Sequence, residues 1–448
     1  MDFTQLFTSF GSFGWSLLFF LVALAIIIPV HELGHYLVGR WCGIGAEVFS
    51  FGFGPVLFSR TDRRGTRWQV AAIPFGGFVK FLGDANAASG RDDAAMGAMD
   101  ARERRRTMHG APLWARALTV VAGPVFNFIL AFVIFTGVVM VEGISATPMV
   151  VAGVNPMPSG EAAGGLRKGD VILAANGLDM TTEEAARAAI RALPDAAELS
   201  YTILRDGVEM EVSAPHLFPA RVSAVMPGSA AADIGIEPGD VVLSVDGTPI
   251  GTFQQLIGLV RDSGGRPLVL SVWRDGTVSD FTLVPRKTDT PTGGGGFETR
   301  YLIGLTSGAL VESETVTPGP VEAVSRGAGQ VWEVMVNTVS GVYHMIAGKI
   351  STCAVSGPIG IATISGDAAA AGVASFIMFV GFLSAAIGLM NLFPIPVLDG
   401  GHLVFHAWEA VTGRAPNGPI ANALMMLGLA IIIGLMIFGL SNDLLRCP

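Results

Sequence analysis

Four long stretches of this 448-residue chain contain almost no charge, and they constrain the fold more than any other feature of the sequence. They cover residues 12–30, 117–141, 368–398 and 415–442. A helix of about 20 apolar residues spans the hydrocarbon core of a bilayer, so each stretch is long enough to cross it. Charged residues make up only 15% of the chain, below the roughly 25% of soluble domains. The sequence therefore predicts a polytopic α-helical membrane protein with a soluble portion.

The distribution of basic residues predicts how these spans are oriented. Segment 39–114 is rich in Arg, whereas no Lys or Arg precedes Arg40. Because cytoplasmic loops are enriched in Lys and Arg, this segment should be cytoplasmic. Both termini and the long region 142–367 are then extracytoplasmic. The missing basic residues at the N-terminus also argue against a cleaved signal peptide. The net charge of −9 argues against a nucleic-acid partner.

The extracytoplasmic region contains a tandem repeat, 151–214 and 221–287. Each copy has a Gly-Asp turn before an apolar strand, at Asp170 and Asp240, followed by a helix-like stretch at 181–192 and 253–262. Each copy ends in two strands joined by Arg-Asp-Gly, which is a hairpin signal. The pattern resembles bacterial PDZ domains, which bind extended peptide ends by adding a strand to a sheet edge. The alternative is that one or both grooves are blocked and the domains only add bulk.

Two short segments follow the second copy. Residues 301–305 are strand-like and are expected to complete the second domain. Residues 288–297 contain four consecutive glycines, a composition typical of a flexible loop.

The chemistry lies at the end of the first apolar stretch, in His31-Glu32-Leu33-Gly34-His35. Positions i and i+4 share one face of a helix, so both imidazoles can bind one metal ion. Glu32 lies beside them, where a carboxylate can accept a proton from an activated water. This is the arrangement of zinc hydrolases. Buried His and Glu at membrane depth are costly and usually functional, so a solvated cluster at the helix end is the weaker interpretation.

A catalytic zinc needs a third protein ligand. The sequence Asn-Leu-Phe-Pro-Ile-Pro-Val-Leu-Asp-Gly-Gly-His ends the third stretch, and Asp399 is its one acidic residue. The first and third spans both run from outside to inside, so His35 and Asp399 should reach similar depth. His402 is an alternative ligand, although a supporting role is expected for both His402 and His406. His109 is interpreted as an ordinary polar residue.

These features together resemble the site-2 intramembrane metalloproteases, in particular the regulator-of-sigma-E branch with tandem PDZ domains. The resemblance extends over most of the chain, including Ser-Gly-Pro-Ile-Gly-Ile-Ala at 356–362. It implies that three residues bind zinc and one is the catalytic base, while three further residues bind substrate. The zinc ligands are His31, His35 and Asp399, the base is Glu32, and the substrate-binding residues are Asn391, Pro394 and Asn127.

The resemblance also implies a substrate, a partner and a location. The substrate would be a single-span membrane protein already trimmed outside, of the anti-sigma-factor type, with signal-peptide remnants as a second possibility. The PDZ pair would exclude substrates whose external domain is intact. The enzyme would lie in the bilayer of a bacterial cytoplasmic (inner) membrane.

Two other segments carry structural expectations. Residues 49–58 and 67–81 alternate like a hairpin, which in the family re-enters the membrane and pairs with the substrate; an ordinary solvent-side hairpin is the alternative. Residues 320–349 suggest amphipathic helices that lie on the outer membrane face or pack on the PDZ pair.

The chain is thus predicted to divide into eight segments. These are a first transmembrane helix (1–38), a cytoplasmic loop (39–114), a second transmembrane helix (115–142), PDZ-like domains (151–214 and 221–305), amphipathic surface helices (315–366), and a third and fourth transmembrane helix (368–398 and 415–442).

Two rival functions remain open at this point. A membrane PDZ scaffold without catalysis would not need an intact His-Glu-x-x-His. A metal transporter would use intramembrane His and Asp, but would need neither Glu32 nor the repeats.

Overall fold

The computed structural model describes residues 3–85, 93–158, 165–226, 229–291, 297–348 and 356–446. It divides into two compact units. The membrane unit comprises Met1–Val138, Pro320–Ser340 and Val355–Pro448, and the inserted unit comprises Val139–Gly319 and Gly341–Ala354. The centre of the predicted glycine loop, 292–296, lies outside the described residues, as do Cys353 and Cys447.

The first part of the membrane unit contains two long helices with a β-structure between them. The elements are α1 (Phe3–Trp41), β1 (Ala46–Thr61), β2 (Arg67–Phe81), α2 (Asp93–Ala98), α3 (Ala101–Arg104) and α4 (Leu113–Glu142). The close contact between α1 and α4 depends on Gly34, where a Cβ would lie 2.4 Å from the Ala122 carbonyl oxygen. A side chain there would force the two helices apart.

The predicted hairpin is present, but both strands bend, so it forms a sheet of four segments. Residues 48–51 lie between 77–80 on one side and 67–70 on the other. Residues 56–61 pair with 67–71, which makes the order 77–81, 46–53, 67–71, 56–61. Gly52 and Gly54, with φ of +88° and +84°, provide the bend, because other residues rarely adopt this conformation.

The inserted unit is rich in strands. Its elements are β3 (Ile144–Ser145), β4 (Met149–Val154), β5 (Val171–Ala175), β6 (Leu178–Asp179), α5 (Glu183–Ala192), β7 (Glu198–Arg205), β8 (Val208–Pro215), β9 (Val222–Val225), α6 (Ala230–Asp233), β10 (Val241–Val245), β11 (Thr248–Pro249), α7 (Phe253–Asp262), β12 (Leu268–Arg274), β13 (Thr277–Leu283), β14 (Arg286–Pro291), β15 (Phe297–Leu302), β16 (Leu305–Ser307), β17 (Val311–Ser313) and β18 (Thr315–Val316). The predicted helices and Arg-Asp-Gly hairpins of both copies are present. Part of the predicted glycine loop is instead the end of β14.

Each copy contains an equivalent ion pair, which explains why the Gly-Asp turn and the Arg-Asp-Gly hairpin occur in both. Arg205 binds Asp170 at 2.7 Å, and Arg274 binds Asp240 at 2.6 Å. Both carboxylates are 1% exposed. Burial alone would raise the pKa of Asp170, but hydrogen bonds from Arg205 and a backbone N–H outweigh it and lower that pKa. The pair ties the turn to the hairpin within each copy.

One segment after the second copy belongs to both copies. β16 pairs with β9 of the second copy, and β17 pairs with β4 of the first. Leu310 and Val311 are 0% and 4% exposed within the core of the first copy. The repeat boundary predicts that the first domain ends at residue 214. The structure extends this domain to a later strand. Its sheet, in the order β17-β4-β5-β7-β8, needs a strand from about 100 residues further along the chain.

The inserted unit begins and ends at one two-stranded neck. β3 pairs with β18, opposing Ser145 to Thr315 and Ile144 to Val316. The Ala146 N–H donates to the Glu314 carbonyl at 2.8 Å. The 167 residues 147–313 are thus inserted between two backbone positions that lie within one hydrogen bond of each other.

The described residues from Pro320 onwards are mainly helical. They comprise α8 (Pro320–Ile346), α9 (Pro358–Ala370), α10 (Val373–Asn391), α11 (Asp399–Thr412), α12 (Gly418–Ser441) and a π-helical turn (Asn442–Arg446). Within the membrane unit, α8 packs on α4 and α10, where a Cβ at Gly327 would overlap Thr136. The 356–362 motif forms the start of α9, whose free N–H groups at Gly357, Ile359 and Gly360 donate to the Asp443 carboxylate at 2.8–3.0 Å.

Four helices of the described chain are long and apolar enough to cross a membrane: Phe13–Trp41, Leu113–Glu142, Val373–Asn391 and Gly418–Leu444. The number of spans agrees with the prediction, but the third is shorter than 368–398. Gly372, with φ of +124°, separates α9 from α10, and the helix ends at Asn391 ahead of Pro394 and Pro396. Hydropathy alone does not detect either break.

Candidate metal centre

The two histidines of the His-Glu-x-x-His motif lie on one face of α1. Their Nε2 atoms are 3.1 Å apart. The helix continues through the motif to Trp41, so one turn of regular backbone sets the spacing of the rings.

Asp399 reaches the same point from the start of α11. Its Oδ2 atom lies 3.1 Å from His31 Nε2 and 3.5 Å from His35 Nε2. The two glycines that follow let α11 begin against the irregular loop before it. A Cβ at Gly400 would lie 2.2 Å from the Phe393 carbonyl, and one at Gly401 would lie 2.4 Å from that of Ile395. The Leu-Asp-Gly-Gly sequence thus places the carboxylate by close backbone packing.

The residues present fit a zinc ion. The three ligand atoms lie within 4.8 Å of one another, the one such group of three that the described chain contains. Apart from the histidine rings, the buried Asp399 Oδ2 has no described polar partner. On the other side, the α4 backbone has room for the histidine rings only because residue 123 is glycine. A Cβ at Gly123 would lie 2.3 Å from His35 Nε2. Two nitrogens, one oxygen and an open position are typical of catalytic zinc.

Glu32 faces the edge of the sheet of four segments formed by β1 and β2. The backbone of Val79 lies beside its carboxylate, and a Cβ at Gly77 would lie 3.2 Å from Glu32 Cγ. Residues 77–81 form one edge of the sheet, so a free strand edge runs past the carboxylate. The hairpin prediction placed this segment in the cytoplasmic loop, but its contact with Glu32 comes only from tertiary structure.

Helix α4 contacts the far side of both histidine rings. The Thr119 carbonyl lies 2.9 Å from His35 Nδ1, and the Asn127 side-chain amide lies 3.3 Å from His31 Nδ1. Thr119 and Gly123 were not singled out from the sequence. A usable signal was present, because Thr119, Gly123 and Asn127 recur every four residues and so share one face of the apolar helix.

A cavity of about 320 Å³ adjoins the His-His-Asp group and Glu32. Asn391 lines it and also donates to the Ile387 carbonyl at 3.1 Å, whereas Pro394 is exposed and is not among the described lining residues. His402 and His406 line the same cavity, outside the three-residue metal group. The sequence indicates that His109 is an ordinary polar residue. In the structure it also lines this cavity, and its Nε2 atom lies 3.2 Å from the buried Asp84 carboxylate.

Comparison with known proteins agrees with this geometry. The profile of peptidase family M50 matches residues 19–435. A zinc metalloprotease of Rhizobium meliloti is 37% identical over 428 residues, which are 95% of each chain. One of Agrobacterium fabrum is 34% identical over 95% of this chain and 94% of its own. The regulator of sigma-E protease RseP of Salmonella typhimurium is 31% identical over 96% of this chain and 99% of its own.

The spanning helices, the His-His-Asp group and these relatives define an intramembrane zinc metalloprotease. The chain belongs to peptidase family M50, the site-2 protease family. Membership over nearly the whole chain decides against the scaffold and the transporter that the motifs alone left open.

Proposed function

We propose that His31, His35 and Asp399 hold the catalytic zinc and that Glu32 is the general base for peptide hydrolysis. The observation that carries this proposal is the convergence of three ligand atoms within 4.8 Å beside a cavity that Glu32 also lines. When bound, zinc polarises a scissile carbonyl and lowers the pKa of water to near 7. The cavity beside the three ligands leaves room for a substrate next to the group.

The remaining chemistry belongs to the residues of the chain. Glu32 accepts the proton of the attacking water and then gives it to the leaving amide nitrogen. The backbone of Val79 lies beside the carboxylate and is proposed to hold it in place for both transfers. Asn391 lines the cavity and is proposed to hold the substrate backbone there. Pro394 is assigned to substrate binding by family resemblance, and its place in the loop before Asp399 supports a role in shaping the entrance.

A substrate helix must be unwound before it is cut, because a transmembrane helix satisfies its amides internally. We propose that the edge segment 77–81 takes up the freed backbone beside Glu32. The opposite end of the sheet supports re-entry into the membrane. Val56, Leu57 and Phe58 are 47%, 71% and 65% exposed, and an exposed apolar cluster of this kind is suited to a lipid environment.

The substrate class proposed here is a single-span membrane protein trimmed outside before cleavage. The name of the Salmonella relative, regulator of sigma-E protease, supports an anti-sigma factor as one such substrate. Signal-peptide remnants share the same chemistry. The basic cytoplasmic loop supports an inner-membrane location with both termini outside.

Metal removal and product mapping test the enzyme function. Purified protein stripped with a chelator is expected to lose cleavage of a single-span substrate, and stoichiometric zinc is expected to restore it, because the site supplies only three protein ligands. Mass spectrometry of the products should place the cut within the apolar span. A cut confined to flanking loops, or cleavage that survives complete loss of metal, would contradict the proposal.

The two domains of the inserted unit are proposed to be PDZ domains that act as a size filter. Each has a sheet, a helix with a side-chain N-cap, and its own Arg–Asp ion pair. Segment 305–313 contributes a strand to each domain, because β16 pairs with β9 of the second and β17 with β4 of the first, and this supports their action as one body. A bulky external domain would be excluded, whereas a short stub would pass.

Removal of this filter is the next prediction. Replacing residues 147–313 by a two-residue Asn-Gly turn would close the neck as a hairpin, because Ala146 and Glu314 already share a hydrogen bond. This variant is expected to bind zinc, to cleave short-stub substrates, and also to cleave substrates with an intact external domain. The measurement is cleavage of matched long and short substrates by both proteins.

The boundaries of this deletion follow from segment 305–313, which contributes a strand to each domain. A deletion that stopped at residue 287 would leave Leu310 and Val311 without the core that buries them, so it is the matched control for misfolding. Loss of short-substrate cleavage by the neck variant, with zinc still bound, would mean that the domains recruit substrate instead of excluding it.

A further inference from the structure

We propose that Asn127 is a positioning residue of the metal centre. Its side-chain oxygen accepts a hydrogen bond from His31 Nδ1–H and thereby directs the Nε2 lone pair of His31 towards the metal. The inference rests on the zinc ligands proposed above. It replaces the substrate contact that the family resemblance implies for Asn127.

The first argument is the surroundings of Asn127. The residue is 0% exposed, and the described lining of the catalytic cavity does not include it. Gly388 packs against it so closely that a Cβ added to Gly388 would lie 3.0 Å from the Asn127 Cβ. The Ser384 hydroxyl donates to the Asn127 backbone carbonyl at 2.9 Å. Its side-chain nitrogen, Nδ2, lies 3.3 Å from His31 Nδ1. A substrate in the cavity would therefore not reach Asn127, whereas the imidazole of a metal ligand does.

The second argument is the bonding requirement of the ring. A neutral imidazole carries one N–H, so His31 can offer its Nε2 lone pair only when Nδ1 carries the hydrogen. Nδ1–H then needs an acceptor. The Asn127 Oδ1 atom is buried and receives no hydrogen bond from any described residue. Rotating the amide by 180°, which leaves its shape unchanged, points this oxygen at Nδ1–H.

The third argument is the matched treatment of the other histidine. His35 Nδ1 lies 2.9 Å from the Thr119 carbonyl. Carbonyl groups point towards the C-terminus of a helix, and side chains tilt towards its N-terminus. The Thr119 oxygen and the Asn127 amide therefore converge from opposite directions on the level of Gly123, where the bare backbone makes room for the rings. Partners of this kind fix the tautomer of zinc-binding histidines in general.

The test measures zinc affinity of the full-length protein in detergent by competition with a chelator, together with the absorption spectrum of the cobalt(II) form. Asn127→Leu keeps the size of the side chain and removes the acceptor, and it is expected to weaken zinc binding by about 10- to 100-fold. Asn127→Asp keeps an acceptor and is expected to stay near wild type. If the Leu variant does not fold, Asn127→Ala replaces it in the same comparison.

Two further variants make the outcomes distinct. Ser384→Ala removes a hydrogen bond to the Asn127 backbone but leaves the amide, so its zinc affinity and cobalt spectrum should be unchanged. His31→Ala tests the ligand itself. If His31→Ala loses zinc while Asn127→Leu binds it like wild type and only its KM for substrate rises, the positioning role is wrong. If His31→Ala retains full zinc affinity, the ligand assignment fails, and the positioning role fails with it.

Discussion

Glu32→Gln is expected to abolish peptide cleavage while the protein keeps its zinc. The amide preserves the size of the side chain but cannot accept the proton of the attacking water. Loss of a general base typically slows a reaction by about 10²–10⁴-fold. Zinc should remain because Glu32 is outside the group of three ligand atoms. The measurement pairs single-turnover cleavage of a single-span substrate with metal content per chain.

The control for this variant is Glu142→Gln, an equal change at the exposed end of α4. It should cleave like wild type. Near wild-type cleavage by purified Glu32→Gln protein would show that another group accepts the proton. Loss of zinc from the same variant would instead move Glu32 into the set of ligands.

Asp399→Asn is expected to empty the metal site, with a loss of turnover of about 10²-fold or more, comparable to loss of the base. Its Oδ2 atom lies 3.1 and 3.5 Å from the two histidine nitrogens, and a neutral amide is a far weaker zinc ligand than a carboxylate. His402→Ala is the matched comparison on the same helix. It should retain zinc, since His402 lies outside the group of three.

Metal content of the two variants decides between the candidates for the third ligand. If His402→Ala emptied the site and Asp399→Asn did not, the roles of the two residues would be exchanged. A thermal unfolding curve for each variant separates loss of metal from loss of fold.

The four spans could be predicted because each is a local property of one apolar run. The same holds for the repeated hairpins, in which Arg-Asp-Gly sets the turn. The start of the third span could not be predicted in this way. Gly372 interrupts an apolar run by backbone conformation, and hydropathy does not register φ.

The ligands illustrate the same division. His31, Glu32 and His35 share one helical turn, so their spacing alone predicts a metal site. Asp399 required one further step, because the orientation of the spans places it at the same depth. Each of these inferences uses either helical geometry or membrane topology, and both can be read along the chain.

Other contacts join residues far apart in sequence and depend on packing. Thr119 and Asn127 lie 84 and 96 residues from the histidines that they contact, and β17 joins a sheet that begins at β4. A single apolar helix pattern does not state which face meets another helix, and a repeat boundary does not show that a later strand completes the first copy. Sequence alone thus predicted the class of enzyme, the spans and the candidate metal-binding residues. Tertiary structure decided what holds those residues in place, because such contacts arise from close approach between distant segments and leave no local periodicity.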